Sequence, residues 1–447
     1  MNPTIHRKIT GLACAVQRPV NARQSLRSMA KLLLSLATPV LISGCQLVDM
    51  AKFSYANARS THQWYGEQAT TTVPFTMIDN HIILPVSLNG SEPLHFVLDS
   101  GAGANVIMDS PATRALQLKM YGELQVSGTG TGPDPIAHIV PDTEFALGEL
   151  RLQGQSVIYL PLDSVPFFES YDDVYFDGVI GAPFFSRFVV EIDYDLGLVS
   201  FSEPSFAQAR VAALGDSGSW QALPLQIESG VPYATAQFDA GQGQTIDVKL
   251  LVDTGFRGSL SLTPVTHDSL QEPQRYFQTV SPGLSGDVAI LVAMSDSLTL
   301  ASYRIDQLPV GYAIAGGESA DDSNGLLGNE LLQQFNLVFD YANERMLLSP
   351  NRNFGTAVVA DRSGLQLRPH AEGGIIRRIA TDSAGQSSAL QIGDIITSFD
   401  DIPVTHRSIT ELKRTLASDR ESVRLCWLSD QGQRCEDLVL ATRLPMQ

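Results

Sequence analysis

Two motifs occur twice, in the same order, along one chain, and that repetition limits the possible fold more than any other feature. Phe96-Val-Leu-Asp99-Ser100-Gly101-Ala-Gly103 in the first half is matched by Leu250-Leu-Val-Asp253-Thr254-Gly255-Phe-Arg257 in the second. In both, an apolar run ends in Asp-Ser/Thr-Gly. Further on, Asp177-Gly-Val179-Ile180-Gly181 parallels Asn324-Gly-Leu326-Leu327-Gly328, and each leads to an Asp-Tyr pair. The interval is the same, since 193 − 181 and 340 − 328 are both 12. Val73-Pro74 and Leu223-Pro224 open the two stretches alike. Ordered repetition of this kind marks two copies of one structural unit.

The units read as β-structure. His81–Leu88, Leu94–Leu98, Phe188–Ile192 and Leu337–Phe339 are short apolar runs, rich in β-branched and aromatic residues and bounded by Gly, Pro, Asn and Asp. Short helices are expected at Pro183–Arg187 and Glu330–Phe335, just after the repeated glycines. The fold class is therefore all-β, with two closed units of similar size rather than a βαβ sheet.

The repeated aspartates suggest a chemistry. Each lies where a strand turns, flanked by apolar residues that would desolvate it and raise its pKa. The glycine permits a tight backbone, and the hydroxyl can brace a partner loop. Two such carboxyls brought together cannot both stay ionised, so they share one proton and supply an acid and a base in one site. That suits a water-mediated attack on a peptide carbonyl.

Asp99-Ser100-Gly101 and Asp253-Thr254-Gly255, with Val179-Ile180-Gly181 and Leu326-Leu327-Gly328, resemble the paired half-sites of retropepsin-like aspartic proteases. The resemblance implies two β-barrel half-domains, over 72–205 and 222–352, joined by a linker at 206–221 and forming a pseudo-dimer within one chain. It implies Asp99 and Asp253 as the catalytic pair, Ser100 and Thr254 as bracing hydroxyls, and Gly101, Gly255, Gly181 and Gly328 as supporting positions. The glycine-rich stretches 127–133 and 281–286 lie where the family's flaps would be. Two positions depart from the pattern: Gly103 and Arg257 stand where a small polar or acidic residue is usual. A cation at 257 is expected to favour ionisation of both aspartates.

Beyond Pro350 the pattern changes. Leu390-Gln-Ile-Gly-Asp394-Ile and the following Ile402-Pro-Val404 resemble the middle of bacterial PDZ domains, which implies an α+β PDZ-like domain over 358–447. Ser408–Leu416 carries Ile409, Leu412 and Leu416 at helical spacing. Gly364, Leu365, Gln366 and Leu367 are the candidate loop for a peptide carboxylate, beside a strand that could accept an added one. Cys426 and Cys435 flank a hairpin and are candidate disulfide partners.

The first 45 residues read as an address. Basic residues precede the apolar run from Leu32, and Ile42-Ser-Gly-Cys45 resembles a lipobox, with Cys45 acylated after cleavage. Residues 46–71 are polar and are expected to form a tether. The protein is thus expected to be lipid-anchored in the cell envelope, facing the periplasm, with Gln46 favouring the outer membrane. Cys14 would leave with the leader, so no free thiol would remain.

A formal charge of −18 excludes a nucleic-acid partner, because phosphate would be repelled. Scattered histidines and cysteine spacing give no metal-binding pattern, and no cofactor is expected. The functional reading is an aspartic endopeptidase acting on polypeptide, with a further peptide or protein ligand possible at the PDZ-like domain. The alternatives are an inactive protease-fold scaffold that binds peptides, and repeats that serve only assembly.

Overall fold

The structure is a computed structural model and describes residues 48–166, 168, 170–239, 244–317 and 323–444. The chain divides into two units, Met1–Met50 and Ala51–Gln447. In the first, only 48–50 are described, and they are helical. The leader and Cys45 lie outside the described residues.

Strand dominates, as the alternation of apolar residues requires, and the fold is all-β in class. His81–Leu88 and Leu94–Leu98 form an antiparallel pair, with Ile83 opposite Val97. Gly178–Ile180 lies parallel to Leu94–Leu98, with Ile180 opposite Leu98. The second half repeats this arrangement. Thr245–Asp253 pairs with Val231–Asp239 on one side and runs parallel to Gly325–Gly328 on the other, with Val252 opposite Leu327.

The two halves meet in one continuous sheet. Val189–Asp193 pairs antiparallel with Phe335–Asp340, so that Val190 faces Phe339, Glu191 faces Val338 and Ile192 faces Leu337. Glu191 and Val338 are each two residues before the Asp of an Asp-Tyr pair. Equivalent positions of the repeat therefore face each other at the centre of the sheet, as an internal two-fold axis demands. Leu198–Ser202 and Thr70–Pro74 extend this sheet on one side, and Arg345–Pro350 and Gln221–Glu228 on the other. A single apolar core, including Phe96, Phe184, Phe238 and Phe339, runs through both halves.

Two segments differ from the sequence reading. The stretch expected to be a tether is largely folded: 51–59 is helical, Thr61–Trp64 pairs with Leu150–Leu160, and Thr70–Pro74 joins the central sheet. Phe53 packs into the core of the first half, and the Asn57 amide exchanges hydrogen bonds with the Ser156 backbone, at 3.0 and 2.9 Å. These contacts are distant in sequence and leave no local signal. The expected linker is mostly helix, Pro204–Asp216, which buries Ala207 and Val211 against Val189, Val338 and Leu347.

The short helices after the repeated glycines are Ala182–Phe185 and Asn329–Leu332. The C-terminal region forms a six-stranded sheet with its own core around Trp427. Helix Ile409–Ala417 packs Ile409, Leu412 and Leu416 into that core. Cys426 and Cys435 face each other in the last hairpin and are joined by a disulfide.

Candidate active site

Asp99 directly follows the buried strand Leu94–Leu98 and Asp253 ends the strand Thr245–Asp253, and both turns arrive at the two-fold axis. The turns are bonded to each other reciprocally. The Ser100 hydroxyl donates to the Val252 carbonyl at 2.6 Å and accepts the Thr254 N–H at 3.1 Å. The Thr254 hydroxyl donates to the Leu98 carbonyl at 2.8 Å and accepts the Ser100 N–H at 3.0 Å. Both side chains are fully buried, so these four bonds are shielded from competing water.

The glycines of the triplets leave room for the opposite carboxyl. A Cβ on Gly101 would stand 2.6 Å from the Asp253 carboxyl carbon, and one on Gly255 would stand 2.3 Å from that of Asp99. No side chain fits in either place. The repeated glycines downstream act in the same way: a Cβ on Gly181 would lie 2.4 Å from the Ala102 carbonyl oxygen, and one on Gly328 would lie 2.2 Å from that of Gly258. The next residue in each case closes the loop, Ala182 N–H to the Ala102 carbonyl and Asn329 N–H to the Phe256 carbonyl. Ala102 and Phe256 are equivalent in the repeat, so one scaffold is built twice.

Asp99 accepts the Gly101 N–H at 2.8 Å, and one oxygen of Asp253 accepts the N–H groups of Gly255 and Phe256 at 2.8 and 2.9 Å. The two carboxyls also hydrogen-bond to each other. Burial pushes both pKa values up, and the charge of Asp99 pushes Asp253 further, while their mutual hydrogen bond lowers Asp99. The pair therefore holds one proton between its two members over a range of pH.

The two glycine-rich stretches interlock with each other. Ser285 N–H donates to the Thr129 carbonyl at 2.8 Å, Gly132 N–H to the Ser285 carbonyl at 2.6 Å, and Gly130 N–H to the Gly316 carbonyl at 2.8 Å. Asp134 takes the hydroxyls of Ser285 and Ser127, at 2.5 and 2.8 Å. A Cβ on Gly130 would lie 2.3 Å from the Ser285 backbone, so the crossing needs a residue without a side chain.

Arg257 behaves differently from the expectation that it would ionise both aspartates. Its guanidinium pairs with Asp79, in the turn before His81–Leu88, so its charge is met by a carboxylate other than the catalytic candidates. Burial would raise the Asp79 carboxyl, but Lys413 and then Arg257 outweigh it and hold it well below the usual range. Burial, then Arg257, pushes His81 down to about 3, so its ring is neutral. Asp79, His81 and Lys413 carried no sequence signal, since the Gly255, Arg257 and Asp79 groups they bond to lie 174, 178 and 334 residues away.

The candidate peptide loop is committed elsewhere. Leu365 and Leu367 are buried in the C-terminal core. The N–H groups of Ser363 and Gly364 donate to the Asp361 carboxylate at 3.0 and 2.7 Å, and that of Leu365 donates to the Ser363 hydroxyl. The Gln366 amide donates to Thr279 and to the Val280 carbonyl in the second half, at 2.7 and 2.6 Å. Strand Leu365–His370 is a poor template for an added strand. Ile376, opposite Leu367, spends its backbone groups on Asp394 and Gly393, so Leu367 and, by alternation, Pro369 face the free edge. Pro369 has no N–H to offer there, and the next outward donor, Ala371, bonds to the Asp172 carbonyl. Among the described residues no group of three or more His, Cys, Asp or Glu is arranged to hold a metal ion.

Comparison with known proteins places the first half. Residues 84–184 match the family model described as aspartyl protease, a span that contains Asp99-Ser100-Gly101 and Val179-Ile180-Gly181. The crystal structure of an aspartic proteinase from Irpex lacteus is similar at a TM-score of 0.37 and 13% identity, over 64% of this chain and 99% of that one. No curated protein matches the chain in sequence.

Proposed function

We propose that the protein is an aspartic endopeptidase whose single chain supplies both catalytic carboxyls. The observation that carries this reading is the meeting of Asp99 and Asp253, hydrogen-bonded to each other at the floor formed by two cross-bonded loops. The ionised member of the pair takes a proton from a water held between the two carboxyls. The resulting hydroxide attacks the peptide carbonyl carbon, and the protonated member gives its proton to the carbonyl oxygen. Collapse of the tetrahedral intermediate breaks the C–N bond: the carboxyl that took the water proton passes it to the departing nitrogen, the other takes the proton of a hydroxyl as the C=O bond re-forms, and the pair again holds one shared proton. The loop amides keep the carboxyls in place throughout, so little reorganisation is needed.

The activity should be bell-shaped in pH. Below the lower pKa of the pair the base is protonated, and above the upper one the acid is lost. The test is cleavage of an unfolded protein by wild type and Asp253→Asn across pH. The reading expects a bell for the wild type and no cleavage by the variant. Equal cleavage by both would reject it.

The cellular setting belongs to the same proposal. Ile42-Ser-Gly-Cys45 after an apolar run supports acylation of Cys45, and the Cys426–Cys435 disulfide is at home in an oxidising compartment outside the cytosol. No helix among the described residues is long and apolar enough to cross a membrane. Cys45→Ser should leave the precursor unprocessed or release a soluble form, read by N-terminal mass analysis and fractionation. An unmodified Cys45 on firmly membrane-bound wild type would contradict the anchor.

A further inference from the structure

The internal two-fold is broken at one pair of positions beside the aspartates. Four residues after Asp99 stands Gly103, and four residues after Asp253 stands Arg257. Each faces the hairpin turn of the opposite half. On one side the turn is Ser229-Gly230, and a Cβ on Gly103 would lie a relaxed 3.7 Å from the Ser229 carbonyl oxygen. On the other side the turn is Asp79-Asn80, and it grips the Asp253 loop at three points. Asp79 takes the Arg257 guanidinium, the Asn80 amide donates to the Arg257 carbonyl at 3.0 Å, and His81 Nε2 lies 2.8 Å from the Gly255 carbonyl oxygen. His81 Nδ1 accepts the Tyr175 hydroxyl at 2.8 Å. A neutral ring accepting at Nδ1 carries its proton on Nε2, so it donates to Gly255. The carbonyls pinned in this way flank the loop whose N–H groups, at Gly255 and Phe256, hold the Asp253 carboxyl.

The grip is completed from outside the two halves. Asp79 is 3% exposed and has a second cationic partner, Lys413, which helix Ile409–Ala417 of the C-terminal unit delivers. On the same helix the Arg414 guanidinium reaches the Gln333 amide oxygen, and Gln333 follows directly on the helix that starts after Gly328. The C-terminal unit also holds the hairpin that carries the second glycine-rich stretch. Gln366 bonds to Thr279 and Val280, Arg378 pairs with Asp287 at 2.5 Å, and the Arg443 guanidinium lies 4.0 Å from the centre of the Phe277 ring.

We propose that the C-terminal unit is a working part of the catalytic site of its own chain, with Lys413 and Asp79 as positioning residues that hold the Asp253 loop. This rests on the endopeptidase reading for its kinetic consequence, but not for its structural one. Lys413 fixes Asp79, Asp79 fixes Arg257 and its own turn, and the turn fixes the Gly255 and Arg257 carbonyls. Loss of Lys413 frees the turn, and the Asp253 carboxyl loses its alignment. Lys413 and Asp79 hold the loop from behind and are not assigned to substrate, so binding of substrate is left nearly as it was.

The experiment uses the full-length protein as wild type, Lys413→Met, Lys413→Arg, Asp79→Asn and, as a control, Arg420→Met, whose partner Asp400 lies on the surface of the C-terminal unit. Two readouts are taken: steady-state cleavage of an unfolded polypeptide, and amide hydrogen exchange at Gly255 and Phe256. Lys413→Met should lower kcat roughly tenfold or more with KM little changed, as small misalignments do. Lys413→Arg should restore it, Asp79→Asn should match Lys413→Met, and the control should match wild type. Exchange at Gly255 and Phe256 should quicken in Lys413→Met and Asp79→Asn but not in Lys413→Arg. Unchanged exchange overturns the proposal, whether or not the protein cleaves anything. A rise in KM alone also overturns it, since that would assign Lys413 to substrate capture. A wild type without activity at any pH but with the expected exchange pattern would reject the endopeptidase reading and leave the positioning of the loop upheld.

Discussion

Glu330 shows how single residues near the site set the pH response of the whole. It lies two residues after Gly328, and its N–H donates to the Gly258 carbonyl at 3.2 Å. Burial raises its carboxyl to about 7, against the pull of Arg414 and Lys413. The folded pKa thus exceeds the unfolded one of 4.5. Between those two values the folded chain keeps a proton that the unfolded chain has released, so stability falls as pH rises through that window. Glu330→Gln should flatten part of this fall, seen as a smaller change in urea midpoint between acid and neutral pH than in wild type. An unchanged difference would show that Glu330 titrates normally. Asp99 and Asp253 are shifted in the same direction, so part of the slope should remain in the variant. At this scale the sequence was legible wherever residues recur. The triplets, the bracing hydroxyls and both downstream glycines could be found because each occurs twice at matching intervals. Asp79, His81 and Lys413 occur once, in ordinary polar surroundings, and only the folded chain brings them to Arg257 and Gly255.

At the scale of elements, strands were easier to read than connections. Runs such as His81–Leu88 and Leu94–Leu98 declare themselves by composition and by the turns around them. Helix Pro204–Asp216 does not, because its mostly small apolar residues are spread around it instead of gathered on one face, and only Ala207 and Val211 are buried. Its place is set by the apolar back of the central sheet, formed by Val189, Val338 and Leu347 from both halves. It therefore ties the halves together as well as linking them. Val211→Ala, which removes two buried methyl groups, should cost about 1–2 kcal/mol. Chemical denaturation should show this as a lower midpoint with unchanged slope. No loss would mean that the helix rests on the sheet without holding it. The expected tether failed for a similar reason: Phe53 and Asn57 find partners that no local pattern announces.

On the scale of the whole molecule, the central claim is that one chain builds one site from two unequal halves. The register that sets Glu191 against Val338 makes the pairing of halves intramolecular, and the core runs through both without a break. The C-terminal sheet was legible as a separate element from its motif, but its attachment was not. Its candidate peptide loop is turned to internal bonds, and Lys413, Gln366 and Arg378 spend themselves on the two repeated halves. The most direct measurement of the central claim is complementation. Asp99→Asn and Asp253→Asn are prepared separately, and cleavage of an unfolded protein is measured for the wild type, for each variant and for an equimolar mixture of the two after joint refolding. The account predicts activity in the wild type only, because every site in the mixture keeps one carboxyl and one amide. Activity recovered in the mixture would mean that halves pair between chains, and activity in either variant alone would mean that the two aspartates do not work as one acid–base pair.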